Sequence, residues 1–198
     1  MRGLKQNQRW HAFIVRFSIM AAFSSITAFS SAAAQVRSPK IPDVLHVPDA
    51  EVLVLKARGE GVQIYQCKGT SDVAGAFQWA FEAPEADLVD SQGQKIGKHY
   101  AGPTWEAHDG SKVVGQLQQH ADAMNPSAIP WLLLKAKSNE GTGIFKDVNY
   151  IQRLDTEGGK APATGCERPN AGQETRVRYT ANYYFYRSST PADRLPAP

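Results

Sequence analysis

The sequence predicts an all-β fold, either an antiparallel sandwich or a closed barrel of roughly ten short strands, with at most one short helix. Three observations indicate this class. Apolar and aromatic residues recur with a period of two, the apolar runs are short, and glycine-rich breaks separate them. Strands that alternate between core and solvent and are joined by tight turns produce this pattern.

The alternation is clearest in two segments. In FQWAF (77–81), aromatic residues at every second position alternate with Gln78 and Ala80. In RVRYTANYYFYR (176–187), one face carries an apolar and aromatic set: Val177, Tyr179, Ala181, Tyr183 and Phe185. Both segments are therefore predicted to be half-buried strands.

Other strands are predicted from shorter runs. VLVL (52–55) and WLLL (131–134) are continuous apolar runs, whereas VQIYQC (62–67) and VNYIQRL (148–154) are rich in β-branched and aromatic residues. RGEG (58–61) is predicted to be a hairpin loop between two of these strands.

The only predicted helix covers GQLQQHADAMNP (115–126). Leu117, Ala121 and Met124 have helical spacing, and Pro126 would end the helix. A single helix leaves no alternation of strands and helices, and the chain contains no G-x-G-x-x-G motif. A dinucleotide-binding fold and a P-loop are therefore excluded.

The N-terminal residues 1–34 are predicted to be a cleaved signal peptide. Four basic residues and no acidic ones precede or enter an apolar stretch diluted with serine, and Ala32-Ala33-Ala34 matches the small-residue cleavage pattern. An uncleaved membrane anchor is the alternative. Cleavage predicts an exported protein, periplasmic or secreted, with an irregular arm (35–50), an all-β domain (51–187) and a disordered tail (188–198).

Removing the leader changes the charge balance. The 198-residue chain has 22 Lys and Arg and 19 Asp and Glu; without residues 1–34 it has 164 residues, 18 basic and 19 acidic, a net charge of −1. No basic run remains to form a nucleic-acid footprint, so no nucleic-acid partner is predicted.

Cys67 and Cys166 are the only cysteines. Because an exported protein meets oxidising conditions, a single disulfide is predicted. Two separate thiols, or a two-cysteine metal site, are the alternatives, although cysteine metal ligands usually lie close together in sequence. We predict no metal and no cofactor.

The segment HYAGPTWEAHDGS (99–111) contains many residues whose side chains could bind a ligand or take part in catalysis. Its Asp109-Gly110 pair predicts a two-residue type I′ turn, which would pair Trp105 with Val114. If Gly102-Pro103 bends the chain back, the remaining polar and aromatic residues could converge. The predicted ligand-binding set is His99, Tyr100, Trp105 and Glu106, with Trp131 nearby.

Two other interpretations of this segment stay open. His99 and Glu106 within hydrogen-bond reach would form a general acid/base pair. Two histidines, His99 and His108, with one carboxylate could instead hold a metal, although no H-x-H or H-E-x-x-H spacing is present.

Aromatic residues elsewhere also allow two interpretations. Arg176, Arg178, Tyr184 and Tyr186 share the second face of the last predicted strand, and could bind sugars or acidic groups or pair across strands. Tryptophans 79, 105 and 131 could be stacking platforms for carbohydrate or part of the core.

Several stretches together resemble the domain-of-unknown-function family numbered 3455. They are GVQIYQC, the segment from FQWAF through KVVG, IPWLLLKAK, GIFKDVNYIQRLDTEGGKAPATGC and YTANYYFY, and they cover about residues 42–187. The resemblance implies an exported bacterial or fungal protein without an established activity. Its Y-x-C and GGxAPxxGC motifs carry Cys67 and Cys166, which fits the disulfide.

The sequence therefore favours an exported, disulfide-linked binding or surface-interaction module, whose partner could be carbohydrate or another envelope component. A hydrolase or lyase acting on carbohydrate through His99 and Glu106 is one alternative. A purely structural envelope protein is the other.

Overall fold

A computed structural model of the chain describes residues 40–73, 75–190 and 193. The predicted signal peptide and most of the predicted tail lie outside this part. Among the described residues, no helix has the length and apolar character needed to cross a bilayer.

Eight antiparallel strands form one closed barrel in which each strand pairs with its neighbours in sequence, and the last pairs with the first. The strands are β1 (Glu51–Gly69), β2 (Phe77–Val89), β3 (Lys95–Tyr100), β4 (Thr104–Ala107), β5 (Lys112–Ala121), β6 (Trp131–Glu140), β7 (Tyr150–Gly158) and β8 (Glu174–Ser188). The predicted all-β class is confirmed, and the closed barrel is the form adopted.

The alternation predicted for 176–187 generates much of the core. In β8, Tyr179, Ala181, Tyr183 and Phe185 all point into the barrel and are almost fully buried. Side chains of a strand alternate in direction, so one face of β8 fills the barrel while the other faces outward.

The predicted hairpin loop at 58–61 is wrong, because these residues continue strand β1. A Cβ on Gly59 would lie 2.5 Å from a ring carbon of Tyr183, and one on Gly61 would collide with the backbone of β2 at Glu85. The two glycines therefore allow close approach inside a strand rather than a turn. Two predicted strands merge here into β1, and the barrel has eight strands rather than roughly ten.

The helix predicted at 115–126 is also wrong. Residues 112–121 form β5, which pairs with β6 through register partners such as Leu117 and Leu134. Neighbouring β6 supplies a hydrogen-bonding ladder along this segment, and the chain after Ala121 forms turns. The helical spacing of three apolar residues is weaker than this tertiary pairing.

The turn at Asp109-Gly110 forms, but with a three-residue loop. The Gly110 N–H donates to Ala107 O at 3.0 Å and the Ala107 N–H donates to Ser111 O at 2.9 Å, with φ positive (84°) at Gly110 but not at Asp109. This geometry is a type I turn followed by a left-handed glycine. The extra residue pairs Trp105 with Val113 instead of the predicted Val114.

The described part of the N-terminal arm, residues 40–50, packs on the outside of the barrel. It contains a short 3₁₀ turn (Asp43–Leu45), and Leu45 is fully buried against Trp131, Leu133 and Leu154. The side-chain amide of Gln152 donates to Leu45 O at 2.6 Å. These residues form a second apolar cluster, separate from the barrel interior, which we call the outer cluster.

The disulfide between Cys67 and Cys166 is confirmed. It joins the end of β1 to the long connection between β7 and β8, near Gln173 O, which accepts the Cys67 N–H at 2.9 Å. Separate thiols and a two-cysteine metal site are thereby excluded.

Candidate functional site

His99 lies inside the barrel, at the end of β3. Its ring stacks on Trp105, directly opposite in β4, with centroids 4.3 Å apart and an interplanar angle of 12°. Tyr183 lies beside this stack and makes edge contacts with both rings, at centroid distances of 5.2 Å and 5.5 Å. His99 is 3% exposed and Trp105 is 1% exposed, so this pair of rings is part of the core.

The His99 ring is neutral. The pKa of His99 is lowered to about 3, chiefly by burial; the bond to Thr104 O opposes this effect, and the charge of Arg153 adds to it. Since a carbonyl oxygen only accepts, the ring Nδ1 at 2.9 Å from Thr104 O must carry the proton. The Nε2 atom is then a hydrogen-bond acceptor.

Tyr100 and Glu106 lie on the opposite, outer face of the same hairpin. The Tyr100 hydroxyl donates to Glu106 Oε2 at 2.7 Å, and Lys98 Nζ and Lys112 Nζ lie 3.5 Å and 3.9 Å from that oxygen. The hydrogen bond lowers the pKa of Glu106 and raises the pKa of Tyr100 to about 12. His99 and Glu106 are therefore separated by the sheet and cannot act together as an acid/base pair.

Trp131 is remote from both groups. It is 3% exposed and belongs to the outer cluster beneath the N-terminal arm. Of the five predicted residues, the structure thus places His99 and Trp105 together in the barrel, Tyr100 and Glu106 together outside it, and Trp131 in a separate cluster.

The other candidate surfaces are largely occupied by contacts within the chain. On the outer face of β8, Arg176 forms an ion pair at 2.7 Å with Glu85 of β2, which lies on the far side of β1. The Tyr186 hydroxyl donates to Gln152 at 2.7 Å. Within the described residues, no group of three or more histidine, cysteine or acidic side chains is arranged to hold a metal ion.

A cavity of about 190 Å³ opens beside the His99–Trp105 pair. Its lining is mainly apolar and comes from the seven strands β2 to β8 and the β3–β4 turn, including Pro84, Pro103, Leu117, Leu132, Leu134 and Tyr183. The polar residues around it are His99, Arg153 and Glu82, together with Trp105. The indole N–H of Trp105 is buried and has no hydrogen-bond partner among the described residues.

The strand pairing explains where the cavity opens. In the described part of the chain, β2 pairs with β3 only over Ala86–Val89, and β5 pairs with β4 only over Lys112–Val114. The first half of β2 and the second half of β5 therefore flank an opening above the tip of the short β3–β4 hairpin. Phe81 and Leu117 line this opening, and each is about half exposed (53% and 51%).

Irregular pairing shapes the rim of this opening. The β1–β2 register passes from Ala83 to Phe81, which leaves Glu82 as the extra residue of a β-bulge. A second irregularity leaves Gln118 as the extra residue in β5, immediately after Leu117. Bulges re-aim side chains and occur often at the rims of barrels, and here they place Phe81 and Glu82 together at the cavity mouth.

Arg153 is the residue that sequence reasoning missed. It stands in β7 opposite Leu132 and Tyr183, and lines the cavity from the inside of the barrel. The available signal was its position two residues after the apolar Ile151, on the same face of a predicted strand. A charged residue on such a face is either paired or functional.

Comparison with protein families matches residues 48–187 to the family described as a protein of unknown function (DUF3455). Neither the curated proteins nor the solved structures contain a match to this chain. The matched segment begins just before β1 and ends one residue before the end of β8, so it contains nearly the whole barrel, the disulfide and every residue around the cavity. The chain therefore belongs to the DUF3455 family.

Proposed function

We propose that this chain is a binding domain that takes a small, largely apolar molecule into the cavity at the mouth of its barrel. The observation that supports this proposal is the cavity itself. It has apolar walls, an open rim with two half-exposed apolar side chains, and buried polar groups in its lining. Pockets that bind small molecules combine these same features.

The volume limits the size of the ligand. An engineered apolar cavity of about 150 Å³ in another protein binds benzene. The cavity of about 190 Å³ found here accordingly suits a molecule with one ring, or a short branched chain. A ligand of this size would also cover Phe81 and Leu117, and removing their apolar surface from water favours binding.

The polar groups supply orientation. The Trp105 N–H is a donor without a protein partner, and the His99 Nε2 is an acceptor because the ring is neutral. A buried donor left unpaired destabilises the protein by about 1–3 kcal/mol. A ligand that bonded to the indole N–H would remove this penalty.

The predicted carbohydrate partner receives less support from the lining. A sugar needs many hydrogen-bond partners, whereas most residues around the cavity are apolar. Export of the domain remains part of the proposal and rests on the leader-like N-terminal sequence. The disulfide is compatible with export, since disulfides persist in oxidising compartments.

Binding can be tested by NMR with three one-ring probes that share a benzyl group: phenylacetamide, phenylacetate and phenethylamine. The expected result is a saturable shift of the Trp105 indole resonance with at least one probe. The Trp131 indole, also buried but located in the outer cluster, serves as the internal control and should not move.

A cavity-filling variant locates the site. Leu132→Phe adds volume to the lining and is expected to weaken binding by about tenfold or more, because a pocket must enclose most of its ligand. Leu53→Phe makes the same change at an exposed position and should leave binding intact. If no probe shifts the Trp105 indole in a saturable way, the cavity is not a binding site and the barrel is better explained as a structural module.

A further inference from the structure

Arg153 places a positive charge inside the barrel. It occupies the inward face of β7, where its neighbours across the ladders are Leu132 and Tyr183. Its positive charge lowers the pKa of the buried His99, Tyr179 and Tyr183. For the two tyrosines, burial has the larger effect and raises the pKa. The guanidinium therefore lies near these buried polar groups.

The protein only partly satisfies this guanidinium. Its Nε and Nη2 donate to Pro130 O at 3.2 Å and 2.8 Å, and the neutral Tyr183 hydroxyl also accepts a hydrogen bond from it. A guanidinium has five N–H donors in a planar fork, and a carbonyl oxygen carries no net charge. Among the described residues, no carboxylate lies within 4.0 Å of Arg153, whereas Arg58, Arg176 and Arg187 all have such a partner.

The one acidic side chain around the cavity does not fill this role. Glu82 lies on the β2 bulge at the rim and is exposed, and it forms no ion pair with Arg153. A charge held in a partly buried apolar site is unfavourable unless an opposite charge pairs with it. The protein therefore presents an inner cation that lacks an anion and borders an apolar cavity.

We propose that the cavity selects a small apolar monoanion, a carboxylate whose head group pairs with Arg153 while its ring or branched chain lies against Leu132 and Leu134. This inference rests on the proposed function and specifies its ligand class. A planar guanidinium matches the two oxygens of a carboxylate and forms charge-assisted hydrogen bonds with them.

Two further features define the selectivity. With one cation inside, a monoanion is fully neutralised, and a second negative charge at the rim would meet Glu82. The His99 ring remains neutral and offers Nε2 as an acceptor, so it does not supply a second cation. An aromatic or branched aliphatic acid is therefore favoured over a dicarboxylate, a phosphate dianion or an amine.

The test compares affinities of phenylacetate, phenylacetamide and phenethylamine for the oxidised protein by calorimetry. The first two have nearly the same shape and differ in charge. Phenylacetate is expected to bind about tenfold or more tightly than phenylacetamide, because its carboxylate carries a charge opposite to that of Arg153 whereas the amide is uncharged. Phenethylamine should bind most weakly, and phenylmalonate, a dianion, should bind less tightly than phenylacetate.

Variants assign the preference to Arg153. Arg153→Met keeps much of the side-chain length without the charge, and should weaken phenylacetate binding by about tenfold while changing phenylacetamide binding little. Arg153→Lys keeps the charge without the planar fork and should be intermediate. Arg178→Met, on the exposed outer face of β8, removes the same charge from the protein and should have no effect.

The outcomes separate the two proposals. Equal binding of phenylacetate and phenylacetamide in the cavity would overturn the anion preference and leave the binding function standing. Equal weakening by Arg153→Met and Arg178→Met would also overturn it, by placing the anion on the outer surface. Failure of all probes to bind would remove the binding function itself. If Arg153→Met does not fold, the wild-type ratio of acid to amide and the Arg153→Lys variant still decide the matter.

Discussion

Replacing His99 with phenylalanine should make the barrel less sensitive to acid. The His99 pKa is about 3 in the folded protein against an ordinary value of 6.5, chiefly because the ring is buried. Between these two pH values, the unfolded chain holds a proton on this ring that the folded protein does not. The free energy of unfolding therefore falls as the pH falls, and His99 contributes its full stability only above about pH 6.5.

The size of the effect follows from this difference in pKa. Each pH unit within the window corresponds to about 1.4 kcal/mol, so lowering the pH from 8 to 4.5 removes about 2–3 kcal/mol through His99 alone. Phenylalanine retains a ring that can stack on Trp105 but cannot titrate. It also loses the bond to Thr104 O, which lowers stability by about 1 kcal/mol at every pH.

The assay is urea unfolding followed by tryptophan fluorescence, with the disulfide intact, at several pH values from 8 to 4.5. Protonation of carboxylates whose pKa is lowered, such as Glu106 and Asp109, also lowers the free energy of unfolding in acid. The wild type and the variant are therefore compared at each pH. The difference between them should move by about 2–3 kcal/mol in favour of His99→Phe at low pH. His120→Phe, at an exposed position of β5, leaves His99 intact and should follow the wild type.

If the free energy of unfolding depends on pH in the same way for the wild type and His99→Phe, His99 does not have a lowered pKa in the folded protein. The ring would take up a proton in the folded state as easily as in the unfolded chain. Direct NMR titration of the His99 ring in the folded protein would then show a midpoint near 6.5 rather than near 3.

Three further predictions concern the scaffold. Gly59→Ala should lower the free energy of unfolding by about 1–3 kcal/mol, since its Cβ would lie 2.5 Å from a buried tyrosine ring, whereas Gly69→Ala, with nearest neighbours at 3.9 Å, should change it by less than about 0.5 kcal/mol in urea unfolding. Reduction of the disulfide, which closes a loop with a sequence separation of 99, should lower it by about 4 kcal/mol in the same assay. Asp109→Ala should accelerate hydrogen exchange at the Ile144 amide, because Asp109 Oδ2 accepts that N–H at 2.8 Å.

Each of these has a contrary result. Equal stability of the two glycine variants would show that β1 and β8 have room for a methyl group at Gly59. An unchanged unfolding midpoint after reduction would mean that the cross-link does not constrain the unfolded chain. Unaltered exchange at Ile144 would mean that backbone contacts alone hold the loop that follows β6.

The sequence predicts a strand and its buried face correctly where apolar and polar side chains alternate regularly along the segment itself. The alternation in β8 predicted Tyr179, Ala181, Tyr183 and Phe185 on one face, and all four fill the barrel. The disulfide was predictable from the expected export of the chain and its even cysteine count. In both cases a short-range pattern or a composition carried enough information.

The errors share a physical cause. The local pattern around Gly59 and Gly61 predicts a turn, but the lack of a side chain at these positions allows β8 and β2 to approach β1 closely. The helical spacing at 115–126 was overridden by pairing with β6. One extra loop residue at Asp109-Gly110 moved the partner of Trp105 by one position.

The residue pattern was enough to predict the all-β class, the inward face of β8, the cysteine pair and the clustering of polar and aromatic residues near His99. Which of those side chains meet depends on how the strands close into a barrel. The sheet separates His99 from Glu106 because neighbouring residues of a strand point to opposite faces, and barrel closure brings Arg153 of β7 to the same cavity as His99 of β3 and Phe81 of β2. Local periodicity specifies the face of each side chain, whereas its partners across the barrel depend on register and closure, which are properties of the whole chain.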